Sequence, residues 1–124
     1  MPNIDIEISS RKGAILEKQI QDFCDHQKRV TCKGLSKRPI FLGKYLECML
    51  KKRDKTQRMQ LFFCAIALFK KVGVLDISSQ KIIDGKRCFE FLGVSKCGQE
   101  FGIHIREETI EKDKKLFLIS TFSA

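Results

Sequence analysis

The sequence of 124 residues has no apolar run long enough to cross a lipid bilayer. Its longest apolar run, Leu61 to Phe69, is about half of the ~20 residues that a transmembrane helix needs. The first ten residues, MPNIDIEISS, lack the apolar centre of a secretory signal peptide. We therefore expect no membrane partner, and either a cytoplasmic protein or one delivered into another cell by a specialised secretion system.

Closely spaced cysteine pairs are also absent. None of the six cysteines forms a C-x-x-C pair, and three of them lie inside the apolar patterns of predicted helices or strands. This distribution predicts reduced thiols that act as small apolar residues. Cys24, His26 and Cys32 are metal-ligand types close together, but their spacing matches no zinc pattern. The sequence therefore implies no metal site and no cofactor.

Positive charge is the dominant feature of the composition. Lysine and arginine number 24 against 15 acidic residues, which gives a net charge of +9. A surface this basic attracts polyanions over a distance of about 8–10 Å. Nucleic acid, an anionic membrane surface and an acidic protein all carry the required charge. No repeat or linker divides the chain, so residues 1–124 are expected to form a single domain.

The first half of the chain alternates between strand and helix patterns. Isoleucines at every second position predict a short strand over 4–8, and helical spacing predicts a first helix over about 12–28. A basic loop is expected at 29–37. Pro39 suits the first turn of a second helix, where its missing N–H costs nothing. A third helix is predicted over 56–71; it is apolar all round between Leu61 and Phe69, so it should be the central core element.

The second half changes to a period of two after Gly73. The dipeptide Asp84-Gly85 favours a two-residue hairpin turn, because both central positions need positive φ. Strands are predicted at 86–92, 101–106 and 115–122. The expected fold is α+β, with an N-terminal strand and three helices packed on one face of a C-terminal four-stranded antiparallel meander.

Aromatic residues predict the parity of the register in the C-terminal hairpin. Directly opposed residues share a face, so the two phenylalanines of 86–92 must oppose apolar residues of 101–106. A slip by one residue would instead place a phenylalanine beside His104. The last strand is apolar on both sides, so Ser120 and Thr121 remain alternative neighbours of His104. The face away from the helices then collects ionisable side chains: Lys81, Glu90, His104 and Arg106.

This set of side chains matches the chemistry of RNA cleavage. A base must take the proton of a ribose 2′-hydroxyl, and an acid must protonate the leaving 5′-oxygen. Glu90 is the candidate base and His104 the candidate acid. The charged phosphorane needs a nearby cation, for which the candidates are Arg106, Lys81 and Lys86. The alternative is a structural one, because the water-facing side of an antiparallel sheet is polar in any case.

Two basic segments outside the sheet are further candidates for phosphate contact. The segment CKGLSKRP groups Lys33, Lys37 and Arg38 in a loop beside a predicted helix start, where charge and free backbone N–H groups bind anions. The segment KKRDKTQR is a basic corner between two predicted helices. Phosphate contacts of this kind add affinity without reading sequence. A solvated loop and a solvated corner are the alternatives.

The second half of the chain, with GKRCFEF, FGIHIR and a terminal KLFLISTF, resembles a known ribonuclease superfamily. It groups barnase, EndoU, the tRNA-cutting colicins and the RelE-type toxins, and the likeness is to phage- or effector-associated members. The resemblance covers roughly residues 36–122. It implies RNA bound on the sheet face away from the helices, with catalysis by Glu90, His104 and Arg106. The final-strand hydroxyl would come from Ser120 or Thr121, and Lys37 and Arg38 would lie near the helix contribution.

The sequence therefore supports three hypotheses. The first is a metal-independent endoribonuclease, acting as a toxin or translocated effector, with RNA as substrate and an antitoxin or immunity protein as partner. The second is a noncatalytic module that binds RNA or an acidic protein through the same face. The third is an antidote or adaptor protein whose charge serves solubility.

Overall fold

The computed structural model describes residues 1–124, which form an α+β fold around a six-stranded open mixed sheet. The elements in chain order are α1 (Gly13–His26), β1 (Arg29–Val30), β2 (Ile40–Phe41), α2 (Tyr45–Leu50), α3 (Lys55–Met59), α4 (Phe62–Phe69), β3 (Ile77–Ile83), β4 (Lys86–Val94), β5 (Glu100–Ile110) and β6 (Asp113–Ser123). The strand order is β1-β2-β6-β5-β4-β3, and only the β2–β6 pair is parallel. No helix has the length and apolar character that a membrane span requires.

Strands β3 to β6 pair consecutively and antiparallel, as the sequence predicts. Their first turn has positive φ at both Asp84 (52°) and Gly85 (77°), the geometry that a two-residue hairpin turn requires. The sheet is nevertheless wider than the predicted meander. The two-residue strands β1 and β2 extend it beyond β6, and β1 lies within the segment 29–37 that was expected to be a loop.

The predicted N-terminal strand over 4–8 is wrong. Asn3 makes one isolated parallel bridge to Val94, and Ile4 donates its N–H to the Val94 carbonyl at 2.9 Å. The reason lies in the neighbouring strands. Pairing of β3 with β4 ends at Ile77 and Phe91, so only the last few residues of β4 have a free edge for the N-terminal segment.

The second predicted helix begins later than expected. Pro39 precedes strand β2, and α2 begins only at Tyr45. Ile40 and Phe41 are extended because they pair with Leu116 and Phe117 on the free edge of β6. A two-residue strand has no periodicity, so this pairing leaves no pattern in the sequence.

The third predicted helix is divided into α3 and α4 at residues 60–61. The carbonyl of Arg58 accepts hydrogen bonds from the side chains of Tyr45 and Thr121, and from the N–H of Leu61 rather than that of the fourth residue on. These bonds replace the regular helical one, which ends α3 there. Helix α4 keeps the central place that the apolar run predicts, with Phe62, Cys64, Leu68 and others buried.

Aromatic and branched side chains fill the space between the helices and one face of the sheet. Phe91, Phe101 and Ile103 are fully buried on that face. Burial of each such side chain contributes about 1.5–3 kcal/mol. We call this side the core face and the opposite side the groove face.

Candidate active site

Three polar side chains lie in one row across the groove face, one from each of three neighbouring strands. Glu90 of β4 is paired directly with His104 of β5, and His104 is paired with Ser120 of β6. Directly opposed Cβ atoms in such pairs are about 4.5–5.5 Å apart. The predicted parity, which puts Glu90 and His104 on one face, is therefore confirmed, and the row joins a carboxylate, an imidazole and a hydroxyl.

A β-bulge decides which final-strand hydroxyl joins the row. Ile105 pairs with Leu118 but His104 pairs with Ser120, so Ile119 is an extra residue on β6. Bulges reorient the side chains that follow them, and they are frequent beside active sites. Both Ile119 and Ser120 consequently line the groove.

Thr121, the alternative candidate, lies on the core face. Its side chain is completely buried, and its hydroxyl lies 2.7 Å from that of Tyr45. It also donates to the carbonyl of Arg58. Because these bonds occupy the hydroxyl and point it away from the groove, the structure does not bring Thr121 together with His104.

The row forms the floor of a groove of about 530 Å³, and its wall carries two cations that the sequence pattern does not single out. Lys52 lies between α2 and α3, and Arg58 lies in α3. Arg58 donates from Nη1 to Ser120 Oγ and from Nε to Asp54 Oδ1, both at 2.8 Å. These residues belong to the segment KKRDKTQR, for which the sequence predicts only general phosphate contact at a basic corner. The periodicity of this segment does not indicate that it packs along β6, beyond the residues of β6 that pair with β2.

Arg106 lies two residues after His104, on the same face of β5, and lines the groove. Glu108 fixes its position by hydrogen bonding. Arg106 Nη2 donates to Glu108 Oε2 at 3.0 Å, and Lys44 and Lys86 donate to the same carboxylate at 3.1 and 3.2 Å. Burial opposes ionisation of Glu108, but the hydrogen bonds from Lys44, Arg106 and Lys86 outweigh it and lower its pKa to about 2. Lys86, a predicted phosphate ligand, is thus already paired.

The electrostatic surroundings of His104 favour its neutral form. Burial is the largest effect that lowers its pKa, and the positive charges of Arg106 and Lys52 lower it further. The carboxylate of Glu90 acts in the opposite direction but does not compensate. A bound phosphate that neutralised these cations would favour protonation of the ring.

The remaining predicted phosphate ligands lie in two different places. Lys81 is exposed on the groove face, in register with Cys88. Lys33 and Lys37 are exposed beside Gly34, whose backbone packs against the Phe91 ring on the core face. These two lysines are therefore not brought to the groove.

Arg38 is likewise directed elsewhere, because it forms an ion pair with Glu107. The distance between Arg38 Nη1 and Glu107 Oε2 is 2.8 Å, and Glu107 is only 7% exposed. Arg38 therefore neutralises a buried carboxylate, and the helix contribution to the groove comes from Lys52 and Arg58 instead.

The cysteine-rich segment near α1 does not form a metal centre. Cys24 and Cys32 are buried, whereas His26 is exposed and its Nδ1 lies 2.8 Å from the carbonyl of Asp22. No three histidine, cysteine or acidic side chains of the chain converge as metal ligands.

No protein-family model, curated protein or solved structure matches this chain. Function is therefore inferred from the residues of the groove and their chemistry.

Proposed function

We propose that the protein is a metal-independent endoribonuclease that cleaves RNA by attack of a ribose 2′-hydroxyl on the adjacent phosphate. The observation that carries this proposal is the row of Glu90, His104 and Ser120 across three strands, with cationic side chains beside it. A carboxylate and an imidazole that both reach one phosphate can act as the base and the acid of a single displacement.

The proposed reaction begins when Glu90 takes the proton of the 2′-hydroxyl. The 2′-oxygen forms a bond to phosphorus, and His104 donates a proton to the 5′-oxygen as the bond between phosphorus and that oxygen breaks. The products are a 2′,3′-cyclic phosphate and a free 5′-hydroxyl. Exchange with water then returns Glu90 to its ionised form and His104 to its protonated form.

Charge on the phosphorane would be stabilised by the groove cations. Arg58 and Lys52 approach from the α2–α3 corner, and Arg106 approaches from β5. Fixed donors of this kind need no reorganisation during the reaction, and loss of one donor typically costs 10²–10³-fold in rate. Ser120 would act as a positioning residue, because its hydroxyl accepts the hydrogen bond that orients Arg58.

The biological setting is part of the same proposal. The net charge of +9 supports RNA as the partner. The strand pattern that resembles the barnase, EndoU, colicin and RelE-type group supports a toxin or translocated effector, with an antitoxin or immunity protein as its cognate partner. A noncatalytic RNA-binding module is the second candidate, and the lowered pKa of His104 favours it, because a neutral imidazole is too weak an acid to protonate the leaving oxygen.

The decisive experiment incubates the purified protein with total RNA in the presence of a chelator. We expect fragments that end in 2′,3′-cyclic phosphate. His104→Gln and Glu90→Gln should each lower the cleavage rate by about 10²–10⁴-fold. His26→Gln and Glu7→Gln are matched controls, because both residues are exposed and lie outside the groove.

Affinity for RNA separates the two candidate functions. For the enzyme, His104→Gln should still bind RNA in a filter-binding assay while failing to cleave it. If the wild-type protein binds RNA but produces no cyclic-phosphate ends under any condition, the nuclease proposal is wrong and the binding module takes its place.

A further inference from the structure

A second concave site lies next to the groove, between the last turns of α1 and the start of α2. It encloses about 380 Å³ and is lined by both aromatic and polar side chains. Phe41 and Phe117 form an aromatic wall, with ring centroids 5.8 Å apart and an angle of 39° between the rings. Pockets of this volume, mostly apolar with a few polar groups, are typical of small organic ligands.

One cross-strand pair connects this pocket to the groove. Phe117 lines the pocket and is paired directly with Arg106, which lines the groove. Arg106 lies two residues from His104 along β5, and Phe117 lies one strand further across. From strand rise and spacing, the backbones of His104 and Phe117 are about 8 Å apart. A nucleotide whose phosphate reaches the groove can therefore place a neighbouring base at the pocket.

Two cations lie against the rings of the aromatic wall. Lys44 Nζ lies 4.4 Å from the centroid of the Phe117 ring, and Lys115 Nζ lies 5.5 Å from that of Phe41. Basic side chains interleaved with aromatic rings are the pattern with which proteins hold single-stranded RNA, since charge follows the backbone and rings stack on bases.

A carboxylate at the rim indicates which bases fit. Asp25 lines the pocket, and its Oδ1 accepts a hydrogen bond from Gln21 Nε2 at 2.8 Å. Its other oxygen, Oδ2, takes part in no hydrogen bond or ion pair within the chain. A carboxylate only accepts hydrogen bonds, so it recognises the amino groups of adenine, cytosine or guanine. Uracil has no amino group, and its one base donor, N3–H, lies between two carbonyl oxygens that repel a carboxylate.

We propose that this pocket binds one unpaired, amino-bearing nucleobase of the RNA substrate, stacked against Phe41 and hydrogen-bonded to Asp25. This inference deepens the proposed ribonuclease function and rests on it. The pocket would make the enzyme discriminate against runs of uridine, whereas the groove alone contacts the phosphates and ribose common to all RNA.

The test measures kcat/KM on short oligoribonucleotides of uridine alone and on the same oligomers with adenosine, cytidine or guanosine at each position in turn. We expect one position, next to the cleaved bond, at which the three amino-bearing bases raise kcat/KM over uridine. Asp25→Asn should remove this preference or shift it towards uridine, because an amide can also donate to the uracil carbonyl. Asp22→Asn is the matched control, since Asp22 is exposed on the same helix and outside the pocket.

A stacking variant gives an independent measurement. Phe41→Ala should raise KM by roughly 5- to 100-fold for every oligomer, as loss of one stacking contact does. Asp25→Asn keeps the inference testable even if Phe41→Ala does not fold. Equal kcat/KM for all four bases in the wild type, unchanged in Asp25→Asn, would overturn the base pocket while leaving the nuclease proposal intact.

Nucleoside monophosphates distinguish the two proposals without any cleavage. In NMR titrations, AMP, CMP and GMP should shift the ring resonances of Phe41 and Phe117 more than UMP does. The shifts should be lost in Asp25→Asn and kept in Asp22→Asn. A wild-type protein that cleaves RNA but shows no such shifts contradicts the pocket alone. One that shows the shifts without cleaving RNA contradicts the nuclease alone.

Discussion

Arg58 is hydrogen-bonded to Ser120 in the groove through its side chain, and to the core through its backbone carbonyl. Its guanidinium donates to Ser120 Oγ at 2.8 Å on the groove face. Its backbone carbonyl accepts from Tyr45 and Thr121 on the core face. Two adjacent hydroxyls of β6 thus hold one arginine from opposite sides, although only Ser120 lies in the groove.

The two hydroxyls should have separable effects on activity and stability. Thr121→Val leaves the buried Tyr45 hydroxyl with fewer partners, so we expect a loss of about 1–3 kcal/mol in the free energy of unfolding. Ser120→Ala should lower kcat by about tenfold or more, because Arg58 loses its anchor at the groove. Urea denaturation and cleavage kinetics measure the two effects. A Ser120→Ala protein with wild-type kcat would show that the anchor has no catalytic consequence.

The pH dependence of cleavage should follow the protonation of His104. Burial, together with Arg106 and Lys52, lowers the pKa of His104 below its ordinary value of 6.5. An acid must carry its proton, so kcat/KM, which reports the free enzyme, should fall with rising pH along a limb below pH 6.5. In kcat the same limb should lie at higher pH, because bound phosphate favours the imidazolium. A kcat/KM limb lying above pH 6.5 would contradict this assignment.

Glu108 should stabilise the fold at neutral pH but not in acid. Its pKa is lowered to about 2 from 4.5, so its contribution is present above pH 4.5 and is lost as the pH falls towards 2. Glu108→Gln should therefore lower the free energy of unfolding by about 1–2 kcal/mol at pH 7, after allowance for solvent screening. The difference from wild type should vanish near pH 2. Urea unfolding at several pH values measures it, and a difference that does not change with pH would contradict the ionic explanation.

The position of each lysine predicts its contribution to RNA affinity. Lys81 is exposed on the groove face, so Lys81→Ala should weaken RNA binding and reduce the slope of log K against log salt by about 1. Lys37 is also exposed, but it follows Gly34, whose backbone packs against Phe91 on the core face, which makes Lys37→Ala the matched control. Filter binding between 50 and 200 mM salt covers the range of about a thousandfold change expected for several phosphate contacts. A larger loss in Lys37→Ala than in Lys81→Ala would place the RNA on the other side of the sheet.

The C-terminal hairpin was predictable because successive side chains of a strand point to opposite faces, so only one of two alternating sets can be buried. Phe89 and Phe91 could be buried opposite Ile103 and Ile105 in one parity only, and the structure has that parity. The side chains at the intermediate positions then had to share the groove face. The shared face of Glu90 and His104 follows from that one choice, whereas their direct pairing is set by the register of the folded sheet.

The first half of the chain was less predictable because its short strands have no period. Residues 40–41 pair with the edge of β6, and residues 2–6 pair with the end of β4; both pairings depend on which edges the rest of the sheet leaves free. Local pattern carries no information about a free edge elsewhere in the fold. Local pattern therefore predicts a helix at Pro39 and a full strand over 4–8, whereas the structure has neither.

The sequence by itself determined the α+β class, the antiparallel C-terminal strands and the shared face of Glu90 and His104, because hydrophobic alternation must match burial. The tertiary structure alone decided between Ser120 and Thr121, since strict alternation from Leu118 would have put Thr121 in the groove. The bulge at Ile119 reverses that choice, and a bulge arises from pairing between strands rather than from any one residue type. The same holds for Lys52 and Arg58, whose place beside His104 depends on how a helical corner packs against the sheet.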